Sequence, residues 1–361
     1  MAAIYTGGSA SVLYGYEGAT TFGTAASSII NIFGMNQKVT SLSLATGQMP
    51  LNKLGQVEVS KFAYGQQQGT VNIGFVWDSE ESDKIFKAIF GAPSTAASDT
   101  IHTYPAAATK PYNGVDGSGS VSVTPSSPLS LTTQIHQVIN HVVGSATNTL
   151  LNRTLKGCIV QSLGLSTSIG ETLNATVDMA FAKEDSSSVI ATSGFVEQTA
   201  TANKQATQPY TFAHGELLSR TGGTSLAVIA EVQEVDINFA TNAELLWGLG
   251  SHHASTVFRK ILDVGGRFKT SSKNGELIQA VINQSLFDDG SKETLDEDTG
   301  VALKLVFENL ASSATKSLTI ELGGVSIIDH NTSGIEPAEP IFEEINFKAK
   351  SARIVSDHGT P

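Results

Sequence analysis

The chain has 361 residues, of which 40% are hydrophobic; that is more than one core usually absorbs, so two domains are expected. Only 16% of residues are charged, and 34 acidic against 22 basic side chains give a net charge of −12, so the chain offers no general attractive field for nucleic-acid phosphates and tight DNA binding is disfavoured. A lone cysteine, Cys158, excludes an intrachain disulfide framework, and no apolar run approaches the roughly 18 residues of a membrane-spanning helix.

The first residues, MAAIYTGGSASVLYGYEG, have no basic stretch followed by an apolar one, so no export signal is expected. One free thiol fits assembly in a reducing cytoplasm. Gly15, Gly18 and Gly23 follow in GYEGATTFGTAA, but their spacing is wrong for a dinucleotide loop and no Gly-Lys-Ser/Thr follows. Glycine-dependent turns are expected there.

From Lys38 the segment KVTSLSLAT alternates with period two, the pattern of a half-buried strand. It runs into LATGQMPLNKLG and, after a polar interval, a second β-prone stretch, GTVNIGFVW from Gly69. Next comes the clearest helix: Asp78 and Glu81 have capping-box spacing, Ile85, Phe86, Ile89 and Phe90 form an apolar stripe, and Gly91 stands where the helix stops. A long stretch rich in Ala, Pro, Ser, Thr and Gly, from about 93 to 128, is read as a projecting loop or hairpin. Three strands are then expected: SLTTQIHQVI from Ser130, GCIVQSLGLSTSIG from Gly157 and TLNATVDMAFAKE from Thr172. Cys158 in the apolar GCIVQSL is expected to be a small buried thiol, not an activated one.

Small polar residues from Ser193 to Gln208 interrupt the pattern, and the sequence then repeats itself. EVQEVDINFAT from Glu231 places Val235, Ile237 and Phe239 on one face, opposite Glu234, Asp236 and Asn238. A shift of 195 lays Leu42 on Ile237, Leu44 on Phe239, Ala45-Thr46 on Ala240-Thr241, and LNKLG on LWGLG. LDVGGRFKT from Leu262 and the helical NGELIQAVINQ from Asn274 follow, the latter at a shift of 192, as a three-residue deletion would produce. After the acidic FDDGSKETLDEDTG come VALKLVFENL, SLTIELGGVSIID and IFEEINFKAKSARIV. The expected fold is mainly β with one helix per unit, a sandwich or partial barrel, in two homologous tandem units over 1–195 and 205–361.

No constellation singles out catalysis, and enzyme is the weaker class. His252 and His253 are adjacent and His136 and His141 five apart, spacings that put no two on one face, so no metal site is expected. The acidic run Asp288 to Asp298 lacks the order of a calcium loop. There is no Gly-x-Ser-x-Gly elbow.

Several stretches in order resemble the tail tube, or major tail, proteins of long-tailed (siphovirus-type) bacteriophages. YEGATTFGTAA at Tyr16 resembles that family's N-terminal signature. LNKLGQ, then GTVNIGF and the helix, then PLSLTTQIHQVI and TLKGCIVQSLGLSTSIGETLNATVDMAFAKE are similar to its strand order. QPYTFAHGELLS at Gln208 resembles the opening of a second tube unit, closed by EPIFEEINFKAKS. The family ordinarily has one unit per chain and six-membered rings, so the tandem pair implies three chains per pseudo-hexameric ring. The resemblance further implies a virion protein without cofactor or metal, which stacks on itself and meets the tape measure, tail terminator and tail tip proteins. Genome DNA would pass through the bore without tight binding.

Neutral or acidic side chains suit such a bore, since they do not hold phosphates. Asp178, Glu234, Asp236 and Glu344, on the polar faces of the expected strands, are the lumen-facing candidates. Ala3–Gly23, the insertion around Lys110–Thr124 and the tail from Lys350 are candidate arms to the next ring. The alternative class is a two-domain β-sandwich recognition module, an adhesin or carbohydrate-binding protein, which would be a soluble monomer.

Overall fold

Period-two alternation of apolar and polar side chains decides the architecture, because each such segment buries one face only when another layer covers it. A computed structural model describes residues 10–18, 22–51, 61–63, 65–79, 81–91, 93–95, 101–104, 130–140, 149–185, 190–191, 209–220, 226–229, 231–258, 260–271, 303–309, 316–333 and 341–357. The principal strands are β1 (Ala10–Tyr16), β2 (Met35–Ala45), β3 (Gln68–Val76), β4 (Ile101–Tyr104), β5 (Leu131–Asn140), β6 (Thr149–Ser168) and β7 (Asn174–Phe181). They continue with β8 (Gly215–Arg220), β9 (Val232–Ala240), β10 (Asp263–Ser271), β11 (Leu303–Asn309), β12 (Lys316–Ser333) and β13 (Phe342–Asp357). The fold is mainly β, as the sequence predicts.

The strands pair antiparallel along two paths. The N-terminal path is β1-β5-β6-β7-β3-β2. The C-terminal path is β8-β11-β12-β13-β10-β9. Leu42 of β2 faces Val71 of β3, and 195 positions later Ile237 of β9 faces Gly266 of β10. Asn72 faces Asp178, and Arg267 faces Asn346. One residue bulges out of β6 between Val160 and Ser162, and one out of β12 between Ile327 and Asp329.

Both long strands turn a corner at a glycine with left-handed backbone, Gly157 (φ 64) and Gly324 (φ 58). A side chain is disfavoured there by the backbone itself, and at Gly157 a Cβ would also lie 2.9 Å from the Ala182 methyl and the Phe22 ring. Up to the corner β6 pairs with the short strand Lys183–Asp185 and with β5, the latter ending at Cys158 opposite Leu131; beyond it, β6 pairs with β7 and β9. The corner lets one strand serve two layers, which is how a sandwich arises from few, long strands.

The two paths meet where β6 accepts β9, from Ser162 opposite Ala240 to Ser168 opposite Glu234. Eight strands thereby form one sheet in the order β2-β3-β7-β6-β9-β10-β13-β12. These pairings trace an open sheet with two ends.

The inner face of that sheet carries the core. Leu163, Leu165, Val177, Ile237, Phe239, Phe268 and Ile345 are all buried. The expected helix is a 3-10 turn, Ser82–Ile85, running into α1 (Phe86–Phe90) and stopping at Gly91 (φ 91). Asp78 Oδ1 accepts the Glu81 N–H at 3.0 Å, so the predicted starting signal is used. Phe86 meets Phe239 edge-on at 5.7 Å, so the helix lies over the junction of the two paths. Burying a ring such as Phe239 contributes about 2–3 kcal/mol.

Three expectations need correction or fall elsewhere. Part of the insertion does not project: Ser94–Thr95 pairs with β4, which adds to the far end of β13 with Tyr104 opposite Ile354. β1 and the Lys350–Asp357 end of β13 are paired strands of the chain's own layers, so those parts of the expected arms do not reach outward. Their backbone groups are satisfied internally, and freeing them would leave buried donors unpaired. The second helix from Asn274, the Lys110–Thr124 loop, the acidic run Asp288–Asp298 and the Ser193–Gln208 join lie outside the described residues.

Candidate assembly surface

Directly opposed residues of an antiparallel pair share a face, so the registers sort the side chains of the eight-stranded sheet. Asp178 faces Asn72 and Ser162. Asp236 faces Ser166 on one side and Arg267 on the other. Glu234 and Glu344 both face Lys269. All four acidic residues singled out in the sequence therefore lie on one face, opposite the apolar core.

That face is polar and partly charge-balanced. Arg267 stands at its centre: its Nε pairs with Asp236, its Nη2 with Glu234, and its Nη1 lies 3.6 Å from Glu344. The Asp236 hydrogen bond, with the neighbouring carboxylates, raises the guanidinium above its ordinary pKa. Lys348 pairs with Asp263 at 2.9 Å. Asp178 accepts hydrogen bonds from Ser162 Oγ at 2.8 Å and from the Asn72 amide at 2.5 Å. Sequence reasoning missed Arg267, since nothing along the chain brings residue 267 beside 234, 236 and 344; only the strand register does.

The two ends of the sheet differ from its middle. Among the described residues, β2 pairs only with β3, and the Val325–Ser333 part of β12 only with β13. Each leaves a row of backbone donors and acceptors facing outward, a template for another strand. The residues there are less covered than their counterparts in the middle. Phe239, at the β6–β9 junction, is 0% exposed; Leu44, 195 positions earlier, is 37% exposed. Thr241 is 4% exposed, with its N–H on the Gln161 carbonyl at 2.9 Å and its hydroxyl on the Val160 carbonyl at 2.5 Å. Thr46, its counterpart, is exposed.

Other sequence candidates fall into structural roles. Cys158 is fully buried, and burial pushes its thiol up to about 12, an inert group. Gly15 approaches the Ser28 carbonyl so closely that a Cβ would sit 2.0 Å from it, which accounts for a glycine without a phosphate. Glu17, inside the YEGATTFG stretch, is 3% exposed and satisfied on both oxygens. Oε1 accepts from Thr132 Oγ1 at 2.9 Å and the Gly157 N–H at 2.8 Å; Oε2 accepts from Ser130 Oγ at 2.6 Å and the Gly23 N–H at 2.8 Å. Among the described residues no three His, Cys, Asp or Glu side chains gather as metal ligands, and no helix is long and apolar enough to cross a membrane.

No curated protein matches the chain. The family described as phage tail tube protein matches it over residues 7–349. The chain belongs to that family.

Proposed function

We propose that this phage tail tube protein builds the tube from two quasi-equivalent units per chain, 1–195 and 205–361, three chains closing each pseudo-hexameric ring. One observation carries the reading: β1-β5-β6-β7-β3-β2 and β8-β11-β12-β13-β10-β9 follow the same pairing order, with β2–β3 and β9–β10 in the same register at a shift of 195. The β6–β9 junction already joins two such units side by side inside one chain.

The polar face with Asp178, Glu234, Asp236 and Glu344 lines the bore in this reading. Arg267 offsets part of the negative charge of Asp236, Glu234 and Glu344, and Lys348 that of Asp263, so the face keeps a net acidic character that does not hold passing phosphates. Rings stack on themselves by a heterologous contact that repeats along the axis. The ends of such a tube meet the tape measure, terminator and tip proteins, in a virion tail assembled in the host cytoplasm. Catalysis has no part in this function.

Negative-stain microscopy of the purified protein tests it. Rings or hollow tubes are expected at high concentration; a dispersed monomer under all conditions would favour the recognition-module class.

A further inference from the structure

We infer that a second copy of this chain adds to the sheet in one defined register: Ser41–Ala45, at the edge of β2 that no described strand covers, pairs antiparallel with Asp329–Ser333 at the corresponding edge of the neighbour's β12. The inference rests on the ring reading above and deepens it to named contacts. Its template is the chain's own β6–β9 junction, where Ser162 faces Ala240, Leu163 faces Phe239, Leu165 faces Ile237 and Ser166 faces Asp236.

Two correspondences carry that junction across. β9 maps on β2 by the shift of 195, fixed by Asp236–Arg267 against Ser41–Asn72 and by Ala240–Asp263 against Ala45–Gln68. β6 maps on β12 by a shift of 167, fixed by the corner glycines Gly157 and Gly324 and by the single-residue bulges after Val160 and Ile327. Applied together, they place Asp329 opposite Ala45, His330 opposite Leu44, Asn331 opposite Ser43, Thr332 opposite Leu42 and Ser333 opposite Ser41.

Side-chain chemistry agrees with this register. Leu42 and Leu44 fall on the core side, where the partner strand would cover the exposed part of Leu44 as β6 covers Phe239. Ser41, Ser43, Asn331 and Ser333 are exposed and fall on the polar face. Shifting the register by one residue would set Leu44 on the same face as Asp329 or Asn331, against the alternation. At the end of the seam, Thr46 takes the place of Thr241: its N–H reaches the neighbour's Ile328 carbonyl and its hydroxyl the neighbour's Ile327 carbonyl. The seam between chains differs from the internal one in its core-side partner. His330 replaces Leu163, and behind it Glu343 replaces Ala175.

Variants with one added cysteine, mixed in pairs and oxidised, test the register, since each then carries a single accessible thiol and a disulfide between two such thiols must join different chains. Cys158 is buried and does not interfere. Directly opposed Cβ atoms lie about 4.5–5.5 Å apart and diagonal neighbours about 7–8 Å, so only opposed pairs link readily. Ser41→Cys mixed with Ser333→Cys, and separately Ser43→Cys mixed with Asn331→Cys, should each give covalent dimer as the main product. Ser43→Cys with Ser333→Cys, two residues out of register on the same face, should give at least tenfold less. If the unsubstituted chain forms tubes but the out-of-register pair links best, or neither in-register pair links, the register is overturned while the tube reading stands. If the unsubstituted chain forms no rings or tubes and nothing links, both fall.

Discussion

Thr241 ties the two strand paths together: its hydroxyl donates to the Val160 carbonyl at 2.5 Å and its N–H to the Gln161 carbonyl at 2.9 Å. The same Ala-Thr pair closes β2, where Thr46 is exposed. Replacing either threonine with the near-isosteric valine removes the hydroxyl bond but keeps the strand. Thr241→Val should therefore destabilise the isolated chain by about 1–2 kcal/mol, the cost of leaving a buried carbonyl short of a donor. Thr46→Val should leave chain stability within about 0.5 kcal/mol of the parent, as for most surface changes, and instead raise the concentration at which rings form. Denaturant melts and sedimentation of the two variants check this separation.

Glu17 is a clasp rather than a binding group. Its carboxylate collects four donors from the N-terminal loop, the start of β5 and the corner of β6. Glu17→Ala would orphan two buried N–H groups and two hydroxyls, and an expected loss of about 3 kcal/mol follows from charge-assisted bonds of this kind. Chemical denaturation gives the number, and a loss below about 0.5 kcal/mol would mean that water replaces the carboxylate without penalty.

His136 sits in β5 at 5% exposure, and burial lowers its pKa. The folded chain therefore takes up this proton less readily than the unfolded chain. Stability from His136 is present above the unfolded value near 6.5 and is lost as pH falls from there towards the lowered folded value. His136→Gln should flatten the decline in stability between about pH 7 and pH 5. Parallel denaturation curves of parent and variant over that range measure it; identical slopes would contradict it.

His330 Nε2 lies 3.6 Å from Glu343, which is 1% exposed and accepts no hydrogen bond from any described residue on either oxygen. Their counterparts in the N-terminal path are Leu163 and Ala175, both buried and apolar. His330→Leu alone should cost about 3 kcal/mol by leaving a buried carboxylate without its neighbour. His330→Leu combined with Glu343→Ala should restore parental stability or exceed it. A double-mutant cycle decides, and simple additivity of the two changes would refute the coupling.

Much of this was legible along the chain because its strands obey period two and because short stretches 195 residues apart share an apolar pattern. Leu42 and Leu44 against Ile237 and Phe239 disclosed one register, and the strand pairings carry the same shift. The acidic residues on one polar face were legible for the same reason. Arg267 among them was not, because a cross-strand neighbour depends on pairing that lies outside the local sequence. Nor was the β6–β9 junction, since a strand edge carries no side-chain pattern of its own. The helix lies where the sequence places it, but only Phe86–Phe90 of it is α-helical. An apolar stripe at Ile85, Phe86, Ile89 and Phe90 suits a 3-10 turn followed by a single α turn as well as a longer helix. Lys350–Val355 falls in both the strand IFEEINFKAKSARIV and the candidate arm from Lys350; its alternating apolar residues, Ala352 and Ile354, are the signal that favours the strand, and the pairing bears that out.

The most direct measurement is a cryo-electron microscopy reconstruction of the assembled tube at side-chain resolution. Each ring should contain three chains with Asp178, Glu234, Asp236, Arg267 and Glu344 around the bore, and β2 of each chain against β12 of the next. Six chains per ring, or a bore lined by another face of the sheet, would contradict it.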